Sequence, residues 1–244
     1  MKQRILSANQ IKVIAIISMT IDHIAFAIVP HNTTMYFLMR CIGRLTAPLM
    51  SFLLVEGFCH TRSRKKYFLR LFAFAVISQP FYYFFVFNKE PKNLIHCLLN
   101  MNVMFTLAVA LSCLAVLKSK LSVIKKVFLF SFVISLSQFG DWSYMMPIWT
   151  IIFFFFRKCS AKKMFIIYTL VSIAILPMLF LKPSDNLLLF SYNYGVLLAM
   201  IPIAMYNGKR EKNIRTPLKK TINQYFFYAY YPLHMIIITL VTCI

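Results

Sequence analysis

Long apolar runs separated by short polar turns recur along the chain. A helix rises 1.5 Å per residue, so a hydrocarbon core roughly 30 Å thick takes about twenty residues. The first two runs, about 11–30 and 35–58, meet that length and are joined by the polar turn His31-Asn32-Thr33-Thr34. A turn that short makes the two helices antiparallel neighbours. The same pattern predicts helices over about 67–87, 101–117, 164–181, 192–206 and 225–243, with a polar loop over 88–100 and a turn at Pro183-Ser184-Asp185. Two further runs, about 127–139 and 143–156, are short for a span and are joined by Gly140-Asp141-Trp142-Ser143. They read as mismatched helices or as a hairpin dipping into the bilayer. The expected fold class is all-α: one polytopic integral membrane helical bundle over 1–244, with about nine transmembrane segments.

Composition agrees, with 60% hydrophobic and 14% charged residues. The formal net charge of +21 raises the possibility of nucleic acid. The basic residues are not gathered on a soluble module, however. They recur in alternate loops, from Lys2 to Lys12, Arg62 to Arg70, Lys118 to Lys126, Arg157 to Lys163 and Lys209 to Lys220, whereas Lys89, Lys92 and Lys182 fall in the others. By the positive-inside rule the rich loops and the N-terminus face the cytoplasm, and no nucleic-acid partner is expected. Lys2 and Arg4 ahead of an apolar run resemble a signal peptide, but Asp22 and His23 interrupt that run, which predicts an uncleaved first helix. The six cysteines contain no C-x-x-C pair, so no metal site is expected; Cys97 and Cys243 fall on the outer side, where a disulfide is permitted.

Charge inside the apolar runs changes the picture more. Measured along the first two helices, Asp22 lies about 12 Å, His23 about 10 Å, Arg40 about 8 Å and Arg44 about 14 Å below the surface. His234, in the last helix, falls near the midplane. An unpaired charge at such depth costs at least about 2.5–3.5 kcal/mol, so these groups must pair or line a wet cavity. One reading is a buried Asp22–Arg44 bridge that only pins two helices. A bridge needs neither His23 nor a second arginine, and that excess points to a site.

Imidazole is readily poised as a base near neutral pH, whereas guanidinium stays protonated and can hold an anion or stabilise an oxyanion. A base beside such donors suits acyl transfer. It also suits a proton-coupled transporter, which uses intramembrane Asp, His and Arg. The loop Arg62-Ser63-Arg64-Lys65-Lys66 lies on the cytoplasmic side, where a phosphorylated donor is found.

Several stretches resemble one family in its own order. They are Ile21-Asp22-His23-Ile24; Arg40-Cys41-Ile42-Gly43-Arg44-Leu45-Thr46-Ala47-Pro48-Leu49; Glu56-Gly57-Phe58 with His60-Thr61-Arg62; Asn102-Val103-Met104-Phe105-Thr106-Leu107; Tyr206-Asn207-Gly208-Lys209-Arg210; and Tyr228-Ala229-Tyr230-Tyr231-Pro232-Leu233-His234. Together they resemble the TraX family of pilin N-acetylation proteins, among the transmembrane acyltransferases. The resemblance implies a single domain that moves an acetyl group from cytoplasmic acetyl-CoA to an amine, a pilin-like or other peptide N-terminus, at the bacterial cytoplasmic membrane. It marks Asp22, His23, Arg44, Asn102 and His234 as catalytic. On this reading His23, oriented by Asp22, is the base, and Arg44 with Asn102 stabilises the oxyanion. Arg40, Arg62, Arg64, Lys65 and Lys66 bind the donor. The family often has a glycine just after the hairpin's acid; this chain has Trp142, Ser143 and Tyr144 there, which leaves the role of Asp141 open. Direct transfer and an acetyl-histidine relay both fit. An O-acyltransferase acting on an envelope glycan, a proton-coupled transporter and a non-catalytic assembly factor are the alternatives.

Overall fold

The computed structural model describes residues 5–87, 93–181, 190–209 and 217–242, and of 217–224 the backbone alone. Expectations placed on Lys2, Arg4, Lys89, Lys92, Lys182, Pro183-Ser184-Asp185, Arg210, Lys212, Arg215 and Cys243, or on the side chains of Lys219 and Lys220, lie outside the described residues. The described elements are helices: α1 (Ala8–Ile28), α2 (Thr34–Gly43), α3 (Thr46–His60), α4 (Arg64–Val86), α5 (Leu94–Leu99), α6 (Val103–Leu117), α7 (Val123–Ser135), α8 (Met145–Phe156), α9 (Ala161–Phe180), α10 (Met200–Ala204) and α11 (Pro217–Thr242), with 3₁₀ segments at Leu136–Phe139 and Ser191–Ala199.

Among the described residues, five stretches are long and apolar enough to cross a membrane: α1, Thr34–His60, α4, α9 and Tyr225–Thr242. Val103–Leu117, Met145–Phe156 and Ser191–Ala204 are shorter apolar helices. The fold is thus an all-α membrane bundle, in which five of the expected spans have full length and the others are shorter. Its apolar exterior fits this solvent. Phe128 is 74% and Met178 82% exposed, which would be unfavourable in water but is not in lipid.

Three boundaries differ from the sequence pattern. The run 35–58 is not one uninterrupted helix but α2 and α3, broken at Arg44 and Leu45. Pro48 accounts for the break: it has no N–H to give the Arg44 carbonyl, and its ring crowds that oxygen. The polar loop 88–100 contains α5, whose first turn is capped where the Asn93 side chain accepts the His96 N–H. The run 192–206 is mostly the tighter 3₁₀ form rather than α-helix.

The described residues group into two compact units, one of residues up to Leu53 and from Cys159, the other Leu54–Lys158. In the first, α1 packs on α2 and α11, and the 3₁₀ segment Ser191–Ala199 packs on α2 and α9. A capping box between Ser7 and Gln10 starts α1. The strand-like residue Leu6 ahead of it pairs with the segment after α10 through Leu6 N–H to the Met205 carbonyl, 3.0 Å, and Asn207 N–H to the Leu6 carbonyl, 2.9 Å. In the second unit α6 is buried on all sides and packs on α4, α7 and α8, as an apolar helix without a polar face must.

Candidate active site

Asp22 and His23 are consecutive on α1, so their side chains leave the helix about 100° apart. Each meets a different partner. The Asp22 carboxylate turns to α2: Arg40 Nη1 donates to Oδ2 at 2.7 Å, and Arg44 Nη1 donates to the same oxygen at 3.3 Å. Arg40 and Arg44 are one turn apart on one face, which is what lets two guanidiniums converge on one carboxylate. Arg44 also reaches the 3₁₀ segment, where its Nε–H donates to Asn193 Oδ1 at 3.1 Å. Aromatic faces surround the cations. Arg40 lies over Tyr192 at 5.2 Å and over Phe26 and Tyr36 at 5.7 Å, and Arg44 lies over Tyr192 at 4.9 Å. Ring faces are negative, so they support guanidinium where water is scarce.

His23 turns instead to α11. Its Nδ1 lies 2.6 Å from His234 Nε2, with the ring planes 5° from parallel and the centroids 4.8 Å apart. That separation is close to the N–N distance plus two ring radii, so the rings meet edge to edge in one plane. His234 Nδ1 is 2.9 Å from the Tyr230 carbonyl, which can only accept, so Nδ1 carries the hydrogen. In a neutral pair His234 Nε2 is then the acceptor and His23 Nδ1–H the donor, and the remaining nitrogen, His23 Nε2, holds a lone pair. This hydrogen-bond chain sets the tautomer as the orienting group of a catalytic triad does. Tyr230 also stacks on His234, centroids 5.2 Å apart, and its hydroxyl lies 2.7 Å from Thr20 Oγ1, tying α11 to α1. Gly43 permits the close approach of α2, since a Cβ there would collide with the Asp22 side chain.

The other marked residues lie in the second unit. Asn102 is fully buried and caps α6: its Oδ1 accepts the Met104 and Phe105 N–H groups, and its Nδ2 donates to the Ala75 carbonyl at 2.7 Å and Gln79 Oε1 at 2.8 Å. Both amide hydrogens are thereby committed. Arg62, Arg64, Lys65 and Lys66 are exposed around the start of α4, where Ser63 caps the helix by accepting the Lys66 N–H. Arg64 also lies over Phe58 at 4.4 Å. Asp141 is held in the turn before α8, with its carbonyl accepting from Thr106 Oγ1 at 2.7 Å and its Oδ1 accepting the Trp142 N–H at 3.0 Å. Trp142 and Ser143 both take positive φ, 63° and 41°, the region glycine enters without strain. Among the described residues no group of three His, Cys, Asp or Glu side chains is placed to hold a metal ion.

A family model described as TraX protein matches residues 7–242. The chain belongs to the TraX family. A curated relative, the "Probable fimbrial assembly protein FimC, serogroup H1" of Dichelobacter nodosus, is 35% identical over 234 residues, covering 94% of this chain and 93% of that protein. No solved structure matches.

Within this TraX-family chain, the geometry brings Asp22, Arg40 and Arg44 together and, beside them, His23 with His234. It separates two expected pairings. Asp22 engages the arginines, and His23 pairs with His234 instead, because adjacent helical residues point apart. Arg40, grouped by the sequence with the basic loop, engages Asp22 on α2. Sequence reasoning passed over Tyr192, Asn193 and Tyr230. The signal for the first two was a polar cluster, Ser191-Tyr192-Asn193-Tyr194, inside an otherwise apolar run.

Proposed function

We propose that this chain is a membrane acetyltransferase of the bacterial cytoplasmic membrane, which transfers an acetyl group from cytoplasmic acetyl-CoA to the N-terminal amine of a pilin-like peptide. The observation that carries the reading is the hydrogen-bonded chain Tyr230 carbonyl, His234, His23, with its lone pair on His23 Nε2. Family membership and a relative whose printed name is that of a probable fimbrial assembly protein support the pilin-like acceptor.

The amine nitrogen attacks the thioester carbonyl, whose C=O electrons move onto oxygen. His23 Nε2 takes the proton from the attacking nitrogen, and His234 holds the ring in place. Collapse of the tetrahedral centre re-forms C=O and breaks the C–S bond, and the proton on His23 passes to the departing thiolate of CoA. Arg44, bonded to the neighbouring Asp22, supplies positive charge for the oxyanion. Asn102 has no part in this step, since its amide hydrogens hold α4 to α6. Arg62, Arg64, Lys65 and Lys66 take the phosphates of the donor. They gather at the positive end of the α4 dipole, where cations are unfavourable and an anion is welcome.

The test is purified protein given acetyl-CoA and a pilin-like peptide, with release of free CoA and the acetylated N-terminus followed together. Wild type should yield both in equal amounts, and His23→Ala should bind acetyl-CoA yet yield neither. The name of the relative also favours a non-catalytic assembly role. On that reading His23→Ala supports fimbrial assembly as well as wild type does, an outcome that would falsify the catalytic one.

A further inference from the structure

The geometry points to a second binding element beside the base: Arg40 is the seat for a carboxylate carried by the acceptor peptide close to its reacting amine. The inference deepens, and rests on, the acyl-transfer reading above.

Two guanidiniums share the single carboxylate of Asp22, and Asp22 is the one acidic residue among the described residues of its unit. Arg40 is only 9% exposed, and its Nε–H has no hydrogen-bond partner. The rings of Phe26, Tyr36 and Tyr192 surround its guanidinium, and the Tyr192 hydroxyl hydrogen-bonds to it, but these groups leave the Nε–H unmet and bring no formal negative charge. A buried charged donor left unmet is a costly arrangement, and binding a ligand is one way to meet it. One carboxylate at Arg40 accepts the Nε–H and brings the formal count of Asp22, Arg40 and Arg44 to zero. The balance then survives the reaction, because the proton gained by His23 offsets the charge of the oxyanion.

Depth and distance select the source of that carboxylate. Arg40 lies six residues into α2 from Thr34, about 9 Å along the helix from its outer end. Lipid phosphates sit at the surface, above the hydrocarbon. The phosphates of acetyl-CoA are separated from its thioester by the whole pantetheine arm. Asp22 and His23 are chain neighbours, their Cα atoms about 3.8 Å apart, so a thioester at His23 holds the donor phosphates well away from Arg40. Of these three sources, a side chain that enters with the acceptor is the one able to reach this level. The acceptor is therefore a membrane-embedded peptide with an Asp or Glu within the first few residues of its free amine.

The experiment measures binding without acetyl-CoA, so that it does not depend on the chemistry. Full-length protein in phosphatidylcholine vesicles is titrated with apolar membrane-spanning peptides, each with a free N-terminal amine and one Glu or one Gln at successive early positions, by energy transfer from a C-terminal label. At one or two adjacent positions the Glu peptide should bind at least about tenfold tighter than its Gln twin. Arg40→Gln should erase that preference; Arg40→Lys should retain part of it. Equal affinity of Glu and Gln peptides for wild-type protein at every position overturns the seat, and this comparison needs no variant to fold. So does a preference that survives in folded Arg40→Gln. Displacement of the Glu peptide by added phosphatidylglycerol in wild type but not in Arg40→Gln assigns the seat to a headgroup phosphate and overturns the peptide. Acetylation assayed on the same peptides keeps the two readings apart: transfer to Glu and Gln peptides of equal affinity retains the chemistry and sinks the seat, whereas Arg40-dependent Glu binding with no transfer retains the seat and sinks the chemistry.

Discussion

Gly43, the last residue of α2, meets Asp22 so closely that Gly43→Ala places its new methyl against the Cβ, Cγ and Oδ1 of that side chain. These atoms are the root of a short side chain, which cannot swing aside while its carboxylate stays on Arg40 and Arg44. Two routes of relief are open. If α1 and α2 separate, the cost is that of an overpacked core, about 1–3 kcal/mol. If Asp22 rotates, two buried guanidiniums lose their counter-charge, and breaking such a pair costs about 3–5 kcal/mol. Alanine returns at most about 1 kcal/mol as the better helix former. The expected net loss is therefore up to about 2 kcal/mol by the first route and about 2–4 kcal/mol by the second, read as a shift of the SDS-induced unfolding of helical circular dichroism. Gly57→Ala provides a calibration, because its methyl meets the far end of Tyr67, with the hydroxyl 2.8 Å away, and a small tilt of that ring suffices. It should cost less than about 1 kcal/mol. A Gly43→Ala protein as stable as wild type would refute the close seating of Asp22 between α1 and α2.

Loss of His23 or of His234 should each lower kcat by about 10²–10⁴, with the double variant little worse than either, because in the proposed mechanism the two rings act as one base; multiplicative losses would count against the shared chain. Asn102→Ala removes a cap worth about 1 kcal/mol and two side-chain hydrogen bonds, to the Ala75 carbonyl and Gln79 Oε1, worth about 0.5–1.5 kcal/mol each, while Gln79 Oε1 keeps the N–H of residue 102. Its turnover per folded molecule should match wild type, and a turnover defect in folded protein would restore Asn102 to the reaction. Neutralising Arg62, Lys65 and Lys66 together should raise KM for acetyl-CoA with little change in kcat; an unchanged KM would remove the donor's phosphates from this loop. Ser143→Gly relieves a positive φ of 41° and should stabilise the protein by about 0.5–1 kcal/mol after the added chain entropy of glycine. A melting temperature unchanged or lowered in Ser143→Gly would show that the serine side chain contributes more than its backbone costs.

Apolar run length made the membrane bundle legible in the sequence, since the need to satisfy backbone groups in lipid leaves helices as the natural spanning form for runs of this kind. Depth along two neighbouring helices likewise brought Asp22, Arg40 and Arg44 together before any coordinates, because rise per residue is fixed. Orientation about the helix axis was harder to read. Asp22 and His23 share a depth, yet the 100° between successive side chains sends one to α2 and the other to α11, and only the packing of α1 between those helices decides which. A base oriented by its chain neighbour was therefore the wrong local picture, and the partner came from the far end of the chain, 211 residues away.

Proline held the remaining information. Pro48 was on the page as part of a family motif, but its physical consequence lies four residues earlier, at the Arg44 carbonyl. The Arg44 N–H still bonds the Arg40 carbonyl at 3.0 Å and its φ of −63° is helical, so its side chain keeps to the face shared with Arg40. From that face it bridges Asp22 and Asn193, and the break that Pro48 imposes falls just beyond it. Arg40, one turn earlier on α2, keeps an unmet Nε–H because the helix fixes its position and the Asp22 carboxylate meets it at Nη1 instead.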